Sequence, residues 1–394
     1  MSGKTGKRIL GWIGGVAILF VVGAGFVPRK ERTSRYYKGF HPGDVWMDSD
    51  SVHINAHGGG ILFYEGFYYW YGEYKTEGRG GNTSLVGISC YSSADLYNWK
   101  NEGIALSPVD DPSSDITKGC VMERPKVIYN EKTGKFVMWF HLELKGHGYG
   151  AARTAVAVSD KVTGPFTYLR STRVNPGIWP YNFSEEMKNK KYENDLEWWT
   201  PEWRNAVIDG LFVKRDINGG QMSRDMGLFV DDDGTAYHIH SSEENLTLHI
   251  AELTPDYTGF TGKWKRVAPA GHREAPAVFK YKDKYYLITS GCTGWAPNEA
   301  SVAVADSIWG EWKFLGNPCS GKDAELTFHS QSTFVLPVQN SPGSYIFMGD
   351  RWKPRNPIDG RYIWLPLFFE DDRPAIKWHD DWDLSIFTKV KKPN

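Results

Sequence analysis

Two short apolar runs joined by Gly-, Asp- or Asn-rich turn chemistry recur five times in this chain, and that repetition limits its possible folds more than any other feature. The hairpins begin near Gly58 (GGGILFYEGFYYWYGE), Glu123 (ERPKVIYNEKTGKFVMWFH), Ser223 (SRDMGLFVDDDGTAYHIHSSE), Arg273 (REAPAVFKYKDKYYLITSG) and Ser330 (SQSTFVLPVQNSPGSYIFMGDR). Their apolar runs are continuous rather than alternating, as in strands buried on both faces. A second hairpin follows each one, with an aromatic just before or within its last strand: Trp99, Phe166, Trp264, Trp312 and Trp378. Four strands in each of five units predict an all-β, five-bladed β-propeller. Successive starts are 65, 100, 50 and 57 residues apart, and the long interval marks an insertion at about 171–221.

The topology locates the chemistry. If each innermost strand starts at one face of the disc, the chain returns to that face after strands two and four. First-strand starts then bring His57, Glu123, Arg124, Arg224, Asp225, Arg273, Glu274 and Gln331 to one channel mouth. Second-strand ends add Glu73, His141, Glu143, Glu243, Trp295, Asp350 and Arg351. The turns between first and second strands lie on the other face. There the acids Asp231 to Asp233 read as solvated turn residues, because they lack an EF-hand register. Gly58-Gly59-Gly60 leads into a strand and reads as close packing at the channel rather than a phosphate cradle.

The insertion carries helix starts: Ser184-Glu185-Glu186, and Thr200-Pro201-Glu202 with a proline at the first helical position. Gly210 can end the second helix. Trp179, Tyr181, Trp198, Trp199 and Trp203 make this segment strongly aromatic. It joins two blades on the functional face, where it can shape a rim or clamp the blades.

Lys4, Lys7 and Arg8 precede the uncharged stretch 9–27, an export signal that is either cleaved or kept as an anchor. Residues 1–30 are therefore expected to direct export, and 36–394 to form the propeller body outside the membrane. The membrane is expected to be met only through the N-terminal segment. Cys90, Cys120, Cys292 and Cys319 lack metal-binding spacing and could be free thiols or form one or two disulfides. A formal charge of -1 gives no reason to expect nucleic acid. Aromatics at 15% suit a carbohydrate, whose C–H faces lie on rings, although β-rich cores also use them. A monomer without cofactor or metal is expected.

Carboxylates converging on an aromatic-lined pocket suggest glycoside hydrolysis, which needs an acid for the leaving oxygen and a second group for water or the anomeric carbon. SRDMGLFVDDDGTAY and REAPAVFKYKDKYYLITSGCTGW resemble glycoside hydrolase family 43. INAHGGGILFYEGFYYWYGE, ERPKVIYN and SQSTFVLP resemble its exo-β-1,3-galactanase branch, over about residues 45–387. The resemblance implies an inverting mechanism with Glu274 as general acid and Asp225 as the aspartate that raises its pKa. The usual family base is replaced here by Asn55-Ala56-His57-Gly58. The branch instead implies Gln331 as the group that holds the attacking water, and Glu123 as a further important carboxylate. His57, Glu73, Arg224, Glu243, Trp295, Asp350 and Arg351 are expected to bind substrate. An inverting pair implies that the Gln331 amide faces Glu274 across about 6.5–9.5 Å. The alternatives are an α-L-arabinofuranosidase or another exo-glycosidase of the family, and a non-catalytic glycan-binding propeller.

Overall fold

The computed structural model describes residues 36–192 and 196–389, so the export signal expected in residues 1–30 lies outside the described residues. Five sheets, each built on four antiparallel strands, follow one another in chain order as the five blades anticipated from the repeats. Their innermost strands are His57–Tyr64, Val121–Asn130, Met226–Val230, Arg273–Tyr281 and Gln331–Pro337, which contact one another around the axis. Blade five gains an extra strand, Cys319–Ser320, paired parallel to Arg373–Lys377. The chain closes the ring with Phe40 pairing to Trp382, and their rings stack 4.2 Å apart. Trp46, Trp70, Trp99 and Trp364 pack beside them in one aromatic cluster. These rings fill the interface between the first and last blades. Trp378, expected just before or within a last strand, lies just past it. All four cysteines are free thiols.

Four innermost strands break register near their starts, between His57 and Gly60, Glu123 and Lys126, Glu274 and Ala277, and Ser332 and Phe334. Such bulges bend a strand and re-aim its side chains. Two of them share the sequence Glu-x-Pro, at Glu123-Arg124-Pro125 and Glu274-Ala275-Pro276. Proline cannot donate to a regular ladder, so a bulge suits it. The central residue has φ +55° in both motifs. Two blades therefore present a glutamate to the axis by the same backbone device.

The glycine run reads correctly as close packing. A Cβ on Gly59 would sit 1.9 Å from the Tyr71 carbonyl oxygen, and one on Gly60 would sit 2.5 Å from Lys126 Cδ. The insertion forms α1 (Glu185–Asn189), α2 (Pro201–Ile208) and α3 (Leu211–Asp216). Ser184 and Thr200 cap the first two as expected. Gly210, at φ +95°, turns the chain from α2 into α3. Trp203, Val207 and Phe212 bury against Leu246 and Ala270 of blade three's connections.

Candidate active site

A cavity of about 380 Å³ opens at the face where the innermost strands begin. Of the sequence-derived residues it gathers Glu274, Asp225, Gln331, Glu123, Glu73, Arg224 and Trp295. An adjoining groove of about 220 Å³ shares Gln331, Trp295 and Trp352 and adds Asp350 and Arg351. Trp295 and Trp352 meet edge to face at 5.6 Å where the two spaces join.

Glu274 is mostly buried, and burial followed by the nearby Asp225 charge pushes its carboxyl up to about 8. At neutral pH it therefore keeps its proton. Asp225 is itself anchored by Arg124, whose guanidinium lies 2.8 Å from its carboxylate. The same guanidinium donates to Gln331 Oε1 and, through its other nitrogen, to the Ser332 carbonyl. It also lies over the Trp352 ring, 5.2 Å from its centre.

The position of Gln331 corrects the sequence expectation. Its Nε2 donates directly to Glu274 Oε1 at 2.8 Å, not across a gap wide enough for water. The amide orientation is fixed on both sides. Oε1 accepts from Arg124 and from Trp352 Nε1 at 2.9 Å, and Nε2 also donates to Ser290 Oγ at 2.9 Å. Both acceptor positions of the amide oxygen are filled. In this arrangement Gln331 positions the acid and has no lone pair left for a water proton.

Glu123 is held differently. Burial would raise its pKa, but the hydrogen bond and charge of His141 bring it down to about 2. His141 Nδ1 lies 3.0 Å from Glu123 Oε2, and its Nε2 lies 3.0 Å from Glu143 Oε1. Burial opposes a charged imidazole, yet the two carboxylates together raise His141 to about 9. Tyr149 donates to the other Glu123 oxygen at 2.7 Å. The site thus pairs a protonated carboxyl at Glu274 with an ionised one at Glu123, the separation that acid–base chemistry on one substrate requires. Glu123, His141 and Asp225 offer donor atoms within 4.8 Å of one another. Arg124 and the His141 imidazolium already supply the positive charge there, so the donor set does not call for a metal.

The floor is polar and closed. Glu73 accepts from the Arg124 backbone N–H at 3.0 Å and pairs with Lys75 at 2.6 Å. Burial raises its pKa. Asp350 accepts from the Gly58 N–H, and burial pushes it up to about 7. Lys126, lowered to about 7 by burial and by Arg124, caps the Gly58 carbonyl at 2.9 Å. Arg224 lines the wall, paired with Glu244 at 3.2 Å.

Two expected substrate contacts are not in the cavity. His57 is 1% exposed and stacks on Tyr362 at 5.4 Å, under Gly360. Glu243 is fully buried, bound by Arg266 Nε and Nη2 at 2.7 Å each and by His249 at 2.9 Å. Arg266 in turn caps the Val207 and Ile208 carbonyls at the end of α2. Glu243 therefore secures the insertion rather than a sugar. Sequence reasoning missed Trp352, Tyr149 and Asn245. Trp352 lies one residue beyond a strand end, and the other two lie in connections on the same face.

A sequence profile described as Glycosyl hydrolases family 43 matches residues 203–331, which include Asp225, Glu274 and Gln331. No curated protein sequence matches the chain. Among solved structures, the GH43 β-1,3-galactosidase BT3683 with galactodeoxynojirimycin is 57% identical. That match covers 88% of this chain and 100% of the other, with a TM-score of 0.85. An exo-β-1,3-galactanase from Clostridium thermocellum is 38% identical over 87% of this chain and 66% of its own, with a TM-score of 0.71. One from Phanerochaete chrysosporium, solved with galactose, is 32% identical over 88% and 68%, with a TM-score of 0.70. The chain belongs to glycoside hydrolase family 43, and it is a glycoside hydrolase.

Proposed function

We propose that this enzyme removes terminal β-1,3-linked galactose from galactan or arabinogalactan-type glycans, with inversion at the anomeric carbon. The observation that carries the reading is Glu274, a carboxyl that stays protonated at neutral pH at the wall of a pocket with a closed floor. A chain cannot thread past the Gly58–Gly60 backbone and the Lys126 amine, which supports attack on a chain end. The choice of galactose rests on the similarity to enzymes described as β-1,3-galactosidases and exo-β-1,3-galactanases.

Glu274 donates its proton to the leaving oxygen, and Asp225 keeps that proton in place up to mildly alkaline pH. Water attacks the opposite face of the sugar. For Gln331 to hold that water, the arriving substrate must displace Arg124 or Trp352 from its amide oxygen, so that a lone pair faces the water. Glu123, ionised and held by His141 and Tyr149, accepts a sugar hydroxyl or the water proton. Residues 1–30 would export the enzyme to where polymeric glycans are met.

The test is product analysis on β-1,3-galacto-oligosaccharides and on arabino-oligosaccharides, with the first-formed anomer read by NMR. Galactose appearing first as the α-anomer is the expected result. Arabinose alone would replace the substrate assignment with the arabinofuranosidase reading. No release from any glycan would favour a binding propeller.

A further inference from the structure

The insertion carries two exposed indoles that the pocket does not use. Trp198 is 50% and Trp199 64% exposed, although both belong to an aromatic group built on the buried Trp203. Trp198 stacks on Trp203 at 5.1 Å, and Trp199 meets Trp203 at 5.1 Å from another side. Trp199 has φ +72°, a left-handed conformation that is costly for a bulky side chain. The Thr200 cap on α2 and the buried Trp203 hold it there. A backbone that spends energy to keep a large indole in water points to a ligand for that indole.

The position says which ligand. The Trp199 ring lies 5.3 Å from the His272 ring. Glu274 follows His272 by two residues, roughly 7 Å of extended chain. His272 donates its backbone N–H to Leu246, whose neighbour Asn245 lines the cavity and contacts Glu274 at 3.3 Å. The platform is thus continuous with the side of the pocket that carries the acid, where the leaving part of a substrate must depart.

We infer that Trp199, supported by Trp198, is a distal subsite that stacks a pyranose ring of the glycan chain leaving the catalytic pocket. A flat indole in water suits the apolar C–H face of a galactopyranose. The inference rests on the proposed action at the end of a β-galactan chain. The subsite selects long substrates and contributes nothing to the bond-breaking step.

The experiment compares Trp199→Ala and Trp199→Phe with the parent enzyme on a β-1,3-linked galactose disaccharide and on long β-1,3-galactan. For Trp199→Ala, the ratio of kcat/KM on the long substrate to that on the short one should fall about tenfold, the scale of one aromatic contact. Trp199→Phe should recover most of that ratio. An unchanged ratio, or equal losses on both substrates, would overturn the subsite. Calorimetry on the catalytically disabled Glu274→Gln protein gives a second reading. There the Trp199→Ala change should weaken binding of long oligosaccharides more than that of the disaccharide. A parent enzyme that acts on neither substrate would instead reject the galactan reading itself.

Discussion

Gln331 and Glu274 form one hydrogen-bonded unit: the amide nitrogen lies 2.8 Å from the carboxyl oxygen, and Arg124, Trp352 and Ser290 hold the amide in that orientation. Charge, proton and geometry at the acid are therefore set by four blades together. Asp225 raises its pKa, Gln331 steadies it, and Arg124 ties both partners to each other.

Glu274→Gln removes the proton while keeping the shape. Turnover of unactivated glycans should fall by a factor of about 10²–10⁴, the usual worth of a general acid. Binding of a disaccharide, read by calorimetry, should change little. Substrates with strongly acidic leaving groups should lose much less. Undiminished turnover on natural linkages would remove Glu274 from the acid role.

Asp225→Asn should move the alkaline limb of the kcat/KM profile, expected near pH 8 in the parent enzyme, to lower pH. The sign follows from the charge: a neighbouring anion disfavours ionisation of Glu274, so its removal lets the proton leave at lower pH. Arg124, freed of its partner, pushes in the same direction. Burial is the larger cause and remains, so the limb should stay above the ordinary carboxyl value of 4.5. A limb that does not move would show that the two carboxyls are uncoupled.

Glu243 gives a stability test away from the chemistry. Burial would raise its pKa, but Arg266 and His249 hold it at about 2, below the ordinary value of 4.5. A depressed folded-state pKa means that its contribution is fully present above about pH 4.5 and is lost as pH falls towards 2. Glu243→Gln should cost about 3–5 kcal/mol at neutral pH, the scale for leaving a buried partner charge unpaired. Denaturant curves at pH 7 and pH 3 should show the gap narrowing at the lower value. Equal destabilisation at both would mean that charge is not what Glu243 contributes.

The repeats disclosed the propeller because strand number and turn chemistry are local properties. The same regularity brought Glu274, Asp225, Glu123 and Glu73 to one mouth. Depth was not legible. Glu243 and Glu73 lie at the ends of equivalent strands, yet only Glu73 reaches the cavity, because Arg266 on the outermost strand of the same blade draws Glu243 away from the axis. His57 was misplaced for the same reason, captured by Tyr362 from the last blade. The Glu-x-Pro motif was visible in the sequence, but its equivalence in two blades needed the bulge register to give it meaning. The direct contact of Gln331 with the acid depends on Arg124 and Trp352, which lie far from it in sequence or outside the strand pattern.

The last prediction separates the two roles open to Gln331. Gln331→Leu keeps much of the side-chain volume and removes the N–H that Glu274 accepts. That hydrogen bond lowers the Glu274 pKa, so its loss should move the alkaline limb up, opposite to Asp225→Asn. If the amide also holds the attacking water, the plateau rate should fall by about a hundredfold or more. A positioning role alone predicts the upward limb with a smaller fall in plateau rate. A water-holding role alone predicts the fall with an unmoved limb, and would mean that the 2.8 Å contact breaks before the chemical step. Gln331→Glu adds a second carboxylate beside Glu274 and should raise the limb further, while its new charge pairs with Arg124. If both substitutions leave rate and limb unchanged, Gln331 has neither role, and the water falls to Glu123, the ionised carboxylate that lines the same cavity.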